Sequence, residues 1–324
     1  MSREIKKVLV IKLGALGDFV LALAAMKRIR QAHPKAKITL LTTPPFEALA
    51  KQSGYFNDIE TDGRPALFSE WFHMIRRLRQ ARYDRVYDLQ TSRGSSRIFH
   101  ALRPFPPQWS GIARGAALKQ RTRGRERMHT LERQADQLRV AGIWPDAPTS
   151  PGEAPPPDLS WVLRKNPEPR PVPGAPPPKP YALLVPGGSA HRLEKRWPVE
   201  HFTELARMLR AKGLDVIVIG GPQESALARA IQKAGSGVRD LTGRTDFAQI
   251  AVLGARAALA VGNDTGPLHL ITAAGAPTVA LFSSASDPAL CGPRGHVTVL
   301  QAPNLAELPV AEVANAAMAL LPRR

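Results

Sequence analysis

One cysteine, Cys291, stands in 324 residues, so no intramolecular disulfide can form and no thiolate cage for a metal can be built. The lone thiol reads as a bystander. Long apolar runs are also missing. No stretch of about 18 uncharged apolar residues occurs, which excludes an ordinary membrane-crossing helix. Ser2-Arg3-Glu4 leads within a few residues into the strand-like Val8-Leu9-Val10-Ile11 without a signal-peptide pattern, and the expectation is a cytoplasmic protein. Neither G-x-G-x-x-G nor G-x-x-x-x-G-K-[ST] is present, so NAD-type binding and P-loop ATP chemistry lack their usual phosphate cradles. Acidic residues are few: 27 Asp and Glu face 45 Lys and Arg, for a net charge of +18. Such a field concentrates anionic partners of any kind near the surface. For a nucleic-acid binder the charge is the only argument, because zinc-ligand spacing, an RNP signature and a basic heptad region are all absent, and no nucleic-acid partner is expected. The basic stretch over 114–133 carries Lys119, Arg121, Arg123, Arg125 and Arg127 with almost no aromatics for base stacking. It reads either as a solvated loop or as an anion-docking surface.

What is present is a repeated rhythm of apolar runs and helical patterns. Over 146–180 the text becomes proline-rich (Pro155-Pro156-Pro157, Pro176-Pro177-Pro178), which can neither propagate a helix nor join a central sheet, and marks a linker. Ahead of it, strand patterns over 7–11, 37–42 and 85–89 alternate with helical ones over 18–30 and 46–51. Behind it, strands are expected over 181–185, 215–219, 257–261 and 278–282, and helices over 198–211, 223–234, 247–255 and 267–274. Alternation of this kind implies βαβ units and parallel sheets, hence an α/β chain with Rossmann-like domains over 1–145 and 181–306. An alanine-rich helical pattern over 307–324 either caps the second domain or crosses back to the first. Ligands of open α/β sheets bind at the carboxyl ends of the strands, so the loops there are the places to look.

Three such loops carry chemistry-bearing residues. In Lys12-Leu13-Gly14-Ala15-Leu16-Gly17-Asp18 the glycines permit a sharp strand-to-helix turn. Asp18 is then either an N-cap or a general base that stays ionised at neutral pH. Pro186-Gly187-Gly188-Ser189-Ala190-His191 allows close backbone approach to a ligand, and it lacks the closing glycine of a G-x-S-x-G elbow, which argues against a serine hydrolase. Downstream, Lys195 lies just before a helix whose first turn accommodates Pro198. The third loop is Gly262-Asn263-Asp264-Thr265-Gly266-Pro267-Leu268-His269. Here Asp264 or Thr265 can cap the helix, free amides near Thr265 and Gly266 suit a phosphate, and His269 is placed to donate to the same anion.

These loops, in this order, resemble glycosyltransferase family 9, the ADP-heptose:lipopolysaccharide heptosyltransferases. The resemblance rests on L-G-A-L-G-D after the first strand, K-R-W-P-x-E-H-F at Lys195 to Phe202, I-G-G-P-x-E at Ile219 to Glu224, and G-N-D-T-G-P-L-H followed by A-A-G-A-P-T-V-A-L-F. It spans both domains and is weakest over 55–140, where acceptor selection is expected. It implies a GT-B architecture, two Rossmann-like domains with parallel sheets facing across a cleft. The implied activity is transfer of a heptose from ADP-heptose to the lipopolysaccharide inner core, with inversion and with neither metal nor cofactor. Asp18 would take the proton of the attacking hydroxyl, while Lys195, Asp264, Thr265, Gly266 and His269 would serve the diphosphate of the nucleotide-sugar donor. Glu224 matches the family's acidic residue near the ribose. Ser189 matches a hydroxyl-bearing position in the phosphate loop, where Ala190 replaces the second hydroxyl of some relatives.

An anionic glycolipid acceptor gives the basic first domain a purpose: Arg93, Arg97 and Arg121 are candidate acceptor or anion contacts. Near anionic headgroups each basic residue contributes about 1 kcal/mol, which predicts peripheral contact with inner-membrane lipid.

Overall fold

The computed structural model describes residues 4–148, 150–163, 180–188 and 195–321. The chain forms two compact units, Met1–Pro156 and Pro157–Arg324, which meet in sequence inside the proline-rich stretch.

In the first unit, β1 (Lys7–Ile11) and β2 (Lys37–Leu41) are apolar runs buried on both faces, as strands of a helix-covered parallel sheet must be, and β4 (Arg85–Asp88) is buried from Val86 to Asp88. The short strands β3 (Asp58–Glu60), β5 (Gln108–Gly111) and β6 (Leu118–Lys119) complete it in the order β3-β2-β1-β4-β5-β6, with every pairing parallel. The helices are α1 (Leu16–Ala32), α2 (Glu47–Ser53), α3 (Phe68–Ala81), α4 (Arg93–Ala101) and α5 (Thr130–Val140). Met74, Ile75 and Leu78 of α3 and Ile98 and Phe99 of α4 share one core with Leu9, Ile11 and Trp109, so both helices lie on the same face of the sheet. The strand order reverses between β1 and β4, and their carboxyl ends, Lys12 and Asp88 onward, flank that switch point.

The second unit repeats the plan. β7 (Tyr181–Val185), β8 (Asp215–Val218), β9 (Val238–Asp240), β10 (Leu259–Asn263), β11 (Thr278–Ser283) and β12 (Val297–Ala302) form an all-parallel sheet in the order β12-β11-β10-β7-β8-β9. The helices are α6 (Val199–Ala211), α7 (Ser225–Gln232), α8 (Phe247–Arg256), α9 (Gly266–Ala273), the short α10 (Pro288–Cys291) and α11 (Val310–Ala319). Val313, Ala314 and Ala317 bury α11 against the core built on α6, β10 and β11, and Trp197 Nε1 donates to Leu308 O at 2.9 Å just ahead of it. The final helix thus packs on its own unit. Here the switch point lies between β7 and β10.

The alternation read from the sequence is therefore present in both units, with added elements. α3 and α4 carry clear apolar stripes among many charges, whereas β5 (Gln-Trp-Ser-Gly) has no apolar run and is held by its neighbours rather than by propensity. The stretch over 114–133 is not one loop: it holds β6, a single 3₁₀ turn at Arg125–Arg127 and the start of α5.

Candidate functional site

At the second switch point the chain leaves β10 through Asn263, Asp264 and an extended Thr265 (φ −146°, ψ 158°), and enters α9 with Pro267 in the first turn. Either Asp264 or Thr265 was expected to cap this helix; no side chain caps it. The Asp264 carboxylate is drawn elsewhere. Its Oδ2 accepts from Lys195 Nζ at 3.0 Å and from Ser286 Oγ at 2.6 Å, and His269 Nε2 stands 3.6 Å from Oδ1, longer than a hydrogen bond. Burial opposes ionisation of Asp264, but the His269 ring, the Ser286 hydroxyl and the Lys195 ammonium outweigh it and hold the carboxyl at about 2. Two buried polar atoms beside it, Thr265 Oγ1 and His269 Nδ1, have no hydrogen-bond partner among the described residues. Orphaned donors and acceptors at an uncapped helix start are what an anionic ligand would satisfy.

Asn263, to which the sequence assigned no role, ties this loop to its neighbours. Fully buried, it donates from Nδ2 to Pro186 O at 2.8 Å and Gly187 O at 3.2 Å, and accepts from Trp197 N at 3.0 Å. The β7 loop, the Lys195 segment and the end of β10 are thereby fixed together. Lys195 precedes the cap residue Pro198 of α6, one residue earlier than the first-turn placement read from the sequence. Its ammonium is committed to Asp264.

Val185, Gly187, Gly188, Gly220, Gly221, Glu224, Asp264, Thr265 and Gly266 line a cavity of about 320 Å³. Glu224 is buried, and its Oε2 accepts from Gly221 N at 2.7 Å. A Cβ on Gly187 would stand 2.6 Å from Glu224 Cγ, so the glycine is required by close approach. Of the sequence-read donor residues, Lys195, Glu224, Asp264, Thr265, Gly266 and His269 come together here. Ser189 lies outside the described residues.

In the first unit, Gly14 (φ +110°) turns the chain out of β1, and α1 begins at Leu16 with Ala15 as its cap residue. The N-cap alternative for Asp18 is thus excluded: the turn is tighter than expected, and Asp18 is the third residue of the helix. Its half-buried side chain lines a polar cavity of about 200 Å³ with Lys12, Gln90, Thr91, Arg125, Arg133 and Gln137. Lys12 is 4% exposed, with Nζ 3.4 Å from Leu89 O. Burial pushes its pKa down while Asp18 pulls it up.

Behind the cavity Asp88 is wholly buried and accepts at Oδ1 from the amides of Gln90 (3.1 Å) and Thr91 (2.9 Å). Burial raises its pKa to about 6 against those bonds, Ser95 and Lys12, and Oδ2 finds no partner among the described residues.

Lys12 and Asp88 were not read as site residues, and Arg125 and Arg133 were read only as part of a basic stretch that is either a solvated loop or an anion-docking surface. For Lys12 and Asp88 the available signal was a polar or charged residue ending a buried strand at its carboxyl end, the same signal that marks Asn263. Arg93, Arg97 and Arg121 are exposed and are not among the residues lining this cavity.

The profile of glycosyltransferase family 9 (heptosyltransferase) matches residues 71–309. Lipopolysaccharide heptosyltransferase 2 of Escherichia coli K12 is 26% identical over 90% of this chain and 86% of its own length. Among solved structures, the E. coli ADP-heptose lipopolysaccharide heptosyltransferase II superposes with a TM-score of 0.78 at 22% identity, covering 97% of this chain and 98% of the other. An E. coli heptosyltransferase solved with ADP does so at 0.75 and 22% identity, covering 97% and 99%. Two parallel-sheet Rossmann-like units of the GT-B class and the match over most of the sequence lead to one statement: this chain belongs to glycosyltransferase family 9, the heptosyltransferases, and is a glycosyl-transferring enzyme.

Proposed function

We propose that the enzyme transfers a heptose from ADP-heptose to the inner core of lipopolysaccharide, inverting the anomeric carbon without a metal ion. The observation that carries this reading is the constellation at the start of α9: Lys195 paired to Asp264 at 3.0 Å beside two unpartnered buried atoms, Thr265 Oγ1 and His269 Nδ1, on a glycine-walled cavity. These groups suit a diphosphate. A cation, a helix start and a histidine ring stabilise the negative charge that grows on the departing ADP, the task a metal ion performs elsewhere. Glu224, beside Gly187 and Gly220, is assigned to a ribose hydroxyl of the donor.

Asp18 takes the proton from the acceptor hydroxyl as its oxygen attacks the anomeric carbon and the bond to the ADP oxygen breaks. A single displacement with one base inverts the centre. Lys12, Arg125 and Arg133 beside Asp18 would receive an anionic group of the acceptor, and Arg93, Arg97 and Arg121 its outlying phosphates or anionic lipid. The reading carries a location with it, the cytoplasmic face of the inner membrane. No helix among the described residues is long and apolar enough to cross a membrane.

The test is a panel of nucleotide sugars monitored by melting temperature, since a ligand stabilises the state it binds. ADP-heptose should raise the midpoint by more than UDP- or GDP-sugars. A larger rise with another nucleotide would replace the donor assignment.

A further inference from the structure

α3 exposes apolar side chains that its fold does not use. Phe68 is 83% exposed and Phe72 59%, both within the first turns of the helix, and its cap residue Leu67 is 62% exposed, while Met74, Ile75 and Leu78 supply the buried stripe. Exposed apolar residues scattered singly need no explanation; three within six positions do. At 100° per residue Phe68, Phe72, Arg76 and Arg79 fall on one flank beside the buried stripe, two aromatics followed by two exposed arginines.

The charge of this flank is positive. Asp62 and Glu60, the nearby acids, are taken up by Arg77 at 2.6 and 2.9 Å, and Glu70 accepts from the amides of Ala66 and Leu67. Arg76 is left exposed beside the aromatics, Arg79 is exposed and donates to Ala101 O and Arg103 O, and exposed Arg64 stands close enough to Lys12 to act on its charge. Helix α4, packed into the same core, adds exposed Arg93 and Arg97 in its first turns. Both helices start from the carboxyl edge of their sheet, the edge that carries Lys12 and Asp18.

We propose that the Phe68-Phe72 flank of α3 is a bilayer-contact surface: the aromatics enter the headgroup boundary of an anionic membrane while Arg64 and Arg76 meet its phosphates. Aromatics and arginines on one face of a surface helix match a lipid interface, apolar below and negative above. The proposal rests on the proposed function only for the acceptor being lipid-borne, and it gives the protein an anchor that added salt alone does not dissolve.

The experiment is co-sedimentation of the full chain with vesicles of phosphatidylglycerol and phosphatidylethanolamine, and with phosphatidylcholine vesicles. Wild type should bind the anionic vesicles preferentially. Phe68→Ser with Phe72→Ser should weaken that binding by about tenfold or more, equivalent to about 1.4 kcal/mol. Arg64→Gln with Arg76→Gln should weaken it mainly at low salt. The melting temperature and turnover on a soluble, lipid-free acceptor should not change in the serine variant, which shows that folding and chemistry are intact. Equal binding by wild type and the serine variant overturns the proposal, as does wild type that ignores anionic vesicles. Self-association that depends on Phe68 and Phe72, in place of vesicle binding, also overturns it. Turnover without vesicle binding defeats this surface and leaves the function standing; vesicle binding without turnover does the reverse.

Discussion

Lys195 Nζ lies 3.0 Å from Oδ2 of Asp264, an ion pair in which both side chains are mostly buried at the start of α9. The carboxylate fixes the ammonium beside the cavity, where Arg196, donating to Gly188 O at 2.7 Å, adds a second positive charge. Lys195→Ala should lower transfer by about 10²–10³, the range for losing one preorganised donor to a developing anion. Asp264→Asn should lower transfer by about tenfold while ADP affinity stays equal or rises, because a negative charge beside the diphosphate is gone. Steady-state kinetics with ADP titration separate the two; equal losses of affinity in both variants would contradict a positioning role for Asp264.

Asn263 should matter for stability as well as for binding. Asn263→Ala strands Trp197 N and frees the Pro186 and Gly187 carbonyls, at a cost of about 2–4 kcal/mol for buried groups left unpaired. Urea unfolding measures it, and ADP affinity should fall too as the β7 loop loosens. A change below about 0.5 kcal/mol would mean that these loops are held by something else.

Gly187→Ala tests the cavity wall directly. The added methyl meets Glu224 Cγ at 2.6 Å, so the glutamate must shift. We expect ADP affinity to fall about tenfold, with a folding penalty of about 1–3 kcal/mol for overpacking. Unchanged ADP titration would remove Glu224 from the donor site.

Asp88 gives a pH signature. Its folded-state pKa of about 6 lies above the ordinary 3.8, so the folded chain holds that proton more tightly than the unfolded chain does. The resulting stability is present at low pH and is lost as pH rises from about 4 through about 6. Wild type should therefore lose roughly 1–3 kcal/mol relative to Asp88→Asn across that window. Asp264, held at about 2, acts in the opposite sense, its contribution being full above 3.8 and lost as pH falls through about 2. Parallel stability curves for wild type and Asp88→Asn would contradict the assignment.

Much of the fold was legible because parallel strands buried on both faces leave continuous apolar runs: β7 was read with its observed bounds and β1 likewise. α3 and β5 were not read, since α3 mixes its apolar stripe with exposed Phe68, Phe72 and several arginines, and β5 holds only one large apolar residue, Trp109. The donor residues share short glycine-bearing loops, which local text marks well. Lys12, Asp88 and Asn263 do not advertise themselves, because each looks like the polar end of a strand until the sheet order places it at a switch point. Arg125 and Arg133 were read only within a basic stretch whose use was open between solvation and anion docking; the turn at Arg125–Arg127 and the start of α5 bring them beside Asp18.

The central claim is tested most directly by ADP release from ADP-heptose in the presence of a lipopolysaccharide inner-core acceptor, comparing wild type with Asp18→Asn. Wild type should release ADP only when the acceptor is present and should do so equally in EDTA. Asp18→Asn should bind ADP as wild type does and lose transfer by about 10²–10⁴. Near-normal turnover in Asp18→Asn, or a wild type that leaves ADP-heptose intact, would contradict the account.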